Sequence, residues 1–300
     1  MPNTRVEFGL AAQAAPATAA SAATLNADTV RFINLIRGAF QSVWVEDHFM
    51  DLGRYKHDVR LEGWTLLSYL MPQFPELRFG NLVLGLAYRN PALLAKMAAT
   101  LQSLSSGRLI LGIGAGWHKP EYDAYGWAFP SPGVRVAQLD EYAQIIKLML
   151  TQSPVSFSGK YYAVANAPND PLPAPPIPLM IGGSGEKGTL RTTAKYADWW
   201  NFGLKPAAEF AHKLEVLKQH CAAVGRDFNE ITPTAFHFVN LSGKPASSAV
   251  YTLGDDSDTV TRQLEEFVAL GARHFMLRFT DFPSTLGIEQ FLQKVLPRFR

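Results

Sequence analysis

The chain has 300 residues and one cysteine, Cys221. A single thiol excludes an internal disulfide framework and any multi-cysteine metal site, and it suits a reducing compartment. Excess charge is also missing. Lys and Arg number 28 against 26 Asp and Glu, and the resulting net charge of +2 implies neither a nucleic-acid footprint nor a membrane patch. No apolar run approaches the roughly 20 residues of a membrane span. The Ala-rich run at 11–23 lacks a strongly apolar centre, carries Pro16 and Thr18, and follows a strand-like segment. It reads as a surface loop ahead of a signal peptide. The seven histidines show no metal-ligand spacing and H-E-x-x-H is absent. So are the G-x-S-x-G elbow of serine hydrolases and the Gly-Lys-Ser/Thr order of a phosphate-binding loop. There is no short-period repeat and no low-complexity tail. What remains is a soluble, cytoplasmic globular protein whose 47% hydrophobic content can form a sizeable core.

Apolar periodicity alternates between strand-like and helix-like along the whole chain. Strands are expected at 5–10, 42–45, 77–86, 109–114, 179–181, 198–202, 234–241 and 274–279. Helices are expected at 28–38, 62–71, 91–104, 134–150, after Gly185 to Tyr196, and at 209–224, 259–270 and 286–295. A small hairpin is expected at 157–164, and six prolines within 168–178 make a stiff extended connection. Eight strand–helix units call for parallel strands with helical crossovers, and that number favours a single (β/α)8 TIM barrel spanning 1–300. A doubly wound open sheet is the structural alternative.

In such a barrel the active site lies at the C-terminal strand ends. Strand two stops in Glu46-Asp47-His48, strand three in Val83-Leu84-Gly85, and strand four in Gly114-Ala115-Gly116-Trp117-His118. Strand five ends in Gly182-Gly183-Ser184-Gly185, strand six in Asn201 and strand eight in Arg278. Glycine at alternate positions from Gly112 to Gly116 lets another group approach the backbone, and a planar cofactor is the reading adopted. The dinucleotide fingerprint fails there, because Trp117 occupies the position of its third glycine. The glycines of 182–185, at a strand-to-helix junction, form either an anion cradle or a tight turn that binds nothing. His48 beside Asp47 is either a general acid–base imidazole or a hydrogen-bonded rim histidine.

Leu61-Glu62-Gly63-Trp64, Tyr88-Arg89-Asn90-Pro91, Ser105-Ser106-Gly107-Arg108, Gly112 to Trp117, Glu121-Tyr122, Tyr125-Gly126, Phe157 to Tyr162 and Ile181 to Gly185 together resemble the bacterial luciferase-like flavin oxidoreductases. Glu-x-Trp, Tyr-Arg-Asn-Pro and Gly-Glu-Lys look most like the branch dependent on the deazaflavin coenzyme F-420. The resemblance implies a luciferase-like TIM barrel, a small-molecule substrate and a homodimer. It implies hydride transfer by reduced F-420, with FMN-dependent monooxygenation as the alternative. His48 and Asp47 would be the catalytic residues. Leu82, Val83, Gly114, Ala115, Gly116, Gly182, Gly183, Ser184 and Gly185 would bind cofactor, with a cis peptide at Leu82–Val83. No metal is implied. Trp117 stands where some deazaflavin-dependent members have an acidic residue, so the resemblance provides no carboxylate relay there.

Overall fold

The computed structural model describes residues 6–12, 21–50, 59–243 and 250–300. In chain order the strands are β1 Glu7–Ala12, β2 Ser42–Val45, β3 Arg78–Asn81, β4 Leu84–Gly85, β5 Leu109–Gly114, β6 Val155–Ser158, β7 Ala163–Ala167, β8 Leu179–Gly182, β9 Trp199–Gly203, β10 Thr232–Asn240, β11 Thr252–Gly254 and β12 His274–Phe279. The helices are α1 Ala22–Ile36, α2 Gly63–Leu70, α3 Pro91–Leu104, α4 Lys119–Ala124, α5 Pro132–Thr151, α6 Thr189–Tyr196, α7 Ala207–Val224, α8 Ser257–Leu270 and α9 Leu286–Gln290. Parallel pairing runs β10-β12-β1-β2-β3-β5-β8-β9, and β9 returns to β10. Eight strands therefore close on themselves, and the expected TIM barrel is what the chain forms.

Local chemistry explains the boundaries. Asn90 caps α3 by accepting the Ala92 N–H, with Pro91 at the first helical position, where its missing N–H costs nothing. Gly225 and Gly271 end α7 and α8 in left-handed conformation. The barrel lumen is filled by Ala11, Trp44, Ile110, Met180, Trp199, Phe236 and Met276. Register sets Ala11, Trp44, Gly80 and Ile110 side by side across β1, β2, β3 and β5. Gly80 has no side chain because the Trp44 ring occupies that space, 2.7 Å from where a Cβ would stand. The larger apolar layer lies between strands and helices.

Four expectations change here. The segment 77–86 is not one strand. A cis Leu82–Val83 peptide separates β3 from β4, and both halves pair with β5. The short helix α4 follows β5, where no helix was expected, and α1 begins six residues earlier than its apolar spacing predicts. Beyond Gln290 the last helix continues as a π turn, Phe291–Val295, and not as α-helix. The Ala-rich loop falls mainly on residues 13–20, outside the described residues.

Candidate active site

Strand parity decides which side chains enter the barrel mouth. Trp44 points into the lumen, and its alternation carried just past the end of β2 puts 46 and 48 on the inward side and 47 on the outward side. Glu46 accepts a hydrogen bond from Arg278, which stands two residues beyond the lumen residue Met276. Asp47, on the other side, is 3% exposed and spent within the protein. Arg89 donates to both of its oxygens at 2.9 and 3.0 Å, and the Gly85 N–H donates at 3.0 Å. Burial pushes the Asp47 carboxyl up, against the pull of Arg89 and the Gly85 N–H. Arg89 also pairs with Glu62, the residue that caps α2. Asp47 thus ties the end of β2 to β4 and α2, and the structure does not bring it to the mouth as an acid–base group.

His48 is held differently. Its Nδ1 lies 3.0 Å from Glu121 Oε2, a carboxylate on α4 with no exposed side-chain surface. The same oxygen accepts from the Tyr88 hydroxyl at 3.0 Å, while Glu121 Oε1 accepts from the N–H groups of Phe49 at 2.7 Å and Met50 at 3.2 Å. Burial would raise the Glu121 carboxyl, but the His48 imidazole and the two backbone N–H groups outweigh it and leave it below the ordinary carboxylate range. A carboxylate that accepts four bonds stays ionised and requires a proton on Nδ1. Among the described residues, Nε2 makes no hydrogen bond. Edge-on contacts from Trp117 at 5.5 Å and His118 at 6.0 Å wall the imidazole. Sequence reasoning assigned no role to Glu121. The signal was present as Glu121-Tyr122, but the bond spans 73 residues and depends on α4.

The glycines have internal reasons. A Cβ on Gly112 would run into the Asn81 carbonyl oxygen, one on Gly114 would come within 2.7 Å of Val83 Cγ2, and one on Gly116 would run into the Tyr122 hydroxyl. Val83, turned by the cis peptide, also lies 3.0 Å from the Cβ position of Gly182. The ends of β3, β5 and β8 therefore meet around Val83, and Ala115, just past β5, is half-buried. At 182–185, Gly183 adopts φ +119 and donates its N–H to Asn201 at 3.1 Å. The helix starts at Thr189, later than expected, with no side-chain cap on its N-terminus. Glu186 is ion-paired with Lys213, and His212 Nε2 lies 2.9 Å from the same oxygen. Among the described residues no group of three or more metal-ligating side chains occurs, and no helix is long and apolar enough to cross a membrane.

Residues 6–268 match the family model described as luciferase-like monooxygenase. The chain belongs to that family. The F420-dependent glucose-6-phosphate dehydrogenase of Amycolatopsis mediterranei is 35% identical over 302 aligned positions, covering 86% of this chain and 90% of that protein. Pyrimidine monooxygenase RutA of Stutzerimonas stutzeri is 33% identical over 257 positions, covering 69% of this chain and 70% of that one. The fold also superposes on an F420-dependent secondary alcohol dehydrogenase in complex with an F420-acetone adduct. That match has a TM-score of 0.86 over 99% of both chains at 18% identity. This luciferase-like protein is therefore an oxidoreductase. Its residues suit a flavin-type group: the half-buried Val83 side chain, seated over Gly114 and Gly182, offers an apolar floor, and the uncapped start of α6 suits a phosphate.

Proposed function

We propose that this luciferase-like oxidoreductase uses reduced coenzyme F-420 for hydride transfer to or from a small organic substrate. The observation that carries the reading is the Glu121–His48 bond at the barrel mouth, which prepares one imidazole nitrogen for proton exchange. The likeness to an F420-dependent dehydrogenase over most of the chain supports the choice of cofactor. When bound, the deazaflavin supplies the hydride chemistry, and the protein supplies orientation and shielding. Leu82, Val83, Gly114, Ala115 and Gly116 would support the ring, and Gly182, Gly183, Ser184 and Gly185 its phosphate. His48 Nε2 takes or returns the substrate proton, Glu121 keeps Nδ1 protonated, and Asp47 holds the end of β2 in place through Arg89.

FMN-dependent monooxygenation is the second reading, favoured by the aromatic wall. Tyr88, Tyr125 and Trp127 stand 4.9, 5.2 and 5.4 Å from the Phe49 ring, the neighbour of His48, and an aromatic lining of this kind would help to shield a reduced flavin, as oxygen chemistry requires. Titrating the purified protein with each cofactor, followed by fluorescence quenching, separates the two. Saturable binding of F-420 is the expected result. Tight FMN binding without F-420 binding replaces the first reading by the second, and saturation by neither removes both.

A further inference from the structure

We propose that the barrel mouth contains a carboxylate-binding subsite, built by Arg278 and Arg60 around Glu46, that selects substrates carrying one carboxylate group. The inference rests on the mouth being the active site, as argued above, and names the substrate class it accepts.

Register places Arg278 opposite Phe238 and Met276 opposite Phe236. The guanidinium carbon lies 5.4 Å from the Phe236 ring and 5.6 Å from that of Phe238. Arg278 Nη1 donates to Glu46 Oε1 at 2.7 Å, and Nη2 reaches the Ala12 carbonyl at 3.4 Å. Arg60 Nη1 stands 3.7 Å from Glu46 Oε2, close enough to attract but too far for a hydrogen bond. Glu46 and Arg278 are each 9% exposed, as is the Arg60 side chain. Among the described residues, two guanidiniums thus share one carboxylate, which leaves the cluster one positive charge in excess. Arg278 Nε and the Nε and Nη1 of Arg60 are buried and have no hydrogen-bond partner among the described residues.

Buried donors without partners are rare, and a buried charge without a counter-charge costs several kcal/mol. Both features are answered by an oxyanion. A single negative charge balances the cluster, which favours a carboxylate over a phosphate dianion, and its two coplanar oxygens suit guanidinium N–H pairs. The neighbouring phenylalanines suit an apolar remainder. Position agrees as well. The cluster lies on the β10-β12-β1-β2 arc, whereas Val83, Gly114 and Gly182 mark the floor on the β3-β5-β8 arc. A ligand carboxylate anchored at Arg278 would leave the rest of that ligand between the cluster and the floor, on the side of His48.

Isothermal titration of the full chain with benzoate, benzamide and inorganic phosphate, with and without bound cofactor, tests the proposal. Benzoate should saturate, with benzamide and phosphate each at least about tenfold weaker, the discrimination expected of a desolvated charge pair. Arg278→Met and Arg60→Met should each weaken benzoate by at least about tenfold while the cofactor titration is unchanged. Glu46→Gln should tighten benzoate, because it removes the competing carboxylate; a purely structural cluster would not do this. Equal affinity for benzoate and benzamide, a preference for phosphate, no saturable benzoate binding, or benzoate binding indifferent to all three substitutions would overturn the subsite. Benzoate binding without cofactor binding would instead remove only the reading of function.

Discussion

At the scale of the residue, the decisive contact joins His48 to Glu121. An isolated imidazole exchanges its proton between two nitrogens. Here the Glu121 carboxylate fixes the choice, because Phe49, Met50 and Tyr88 already occupy its remaining acceptor positions as donors. Nitrogen-resolved NMR of the chain without ligand should show a proton on His48 Nδ1. In Glu121→Gln the amide can donate as well as accept, so the tautomer preference should weaken, at about 1–3 kcal/mol of stability for disturbing a buried polar network. An unchanged His48 signal in that variant would deny Glu121 its positioning role. His48→Ala should leave cofactor titration as it is and abolish turnover, since no step of cofactor binding is assigned to the imidazole.

At the scale of the element, much was legible and the exceptions have physical causes. Helix α3 and strands β5 and β12 occur with the limits expected, because apolar periodicity, Asn90-Pro91 and the turn at Ser105 to Gly107 all mark the same boundaries. Segment 77–86 was misread as continuous because its apolar residues carry no mark of the peptide reversal at Leu82–Val83. Asp47 was expected at the mouth beside His48, whereas its carboxylate is paired with Arg89. Period-two alternation from Trp44 already sends 46 inward and 47 outward, but it becomes informative only once Trp44 is known to face the lumen. The glycine ladder was legible as close approach, yet the approaching groups at Gly112, Gly114 and Gly116 are Asn81, Val83 and Tyr122. Gly112→Ala should therefore lower stability by about 1–3 kcal/mol through overpacking. Gly133→Ala, at the second position of α5 with open space around it, should raise stability by about 0.4–1 kcal/mol. Thermal unfolding of the two variants should show opposite shifts of Tm, and equal shifts would contradict this account of the ladder.

At the scale of the whole molecule, closing the barrel inside a ring of helices buries groups that would otherwise titrate. His237 of β10 is fully buried, 4.7 Å from the Phe267 ring of α8 and 5.7 Å from Tyr251, and neither ring nitrogen has a hydrogen-bond partner. Burial holds its pKa down to about 3. The unfolded chain binds this proton near the ordinary histidine value of about 6.5, so between those values the unfolded state carries a proton that the native state refuses. Stability is therefore complete above about pH 6.5 and falls by about 1.4 kcal/mol per unit as the pH drops toward 3. His274, also lowered by burial although Glu7 opposes it, adds to the same acid loss. Urea unfolding at pH 7.5 and pH 5 should show a native protein weaker at the lower pH by about 2 kcal/mol from His237 alone. Phenylalanine at 237 keeps a ring against Phe267 and has nothing to protonate. His237→Phe should match or exceed the native chain at pH 7.5 and lose about 2 kcal/mol less on acidification. If both proteins lose equal stability between the two pH values, the acid sensitivity of this barrel does not arise at His237.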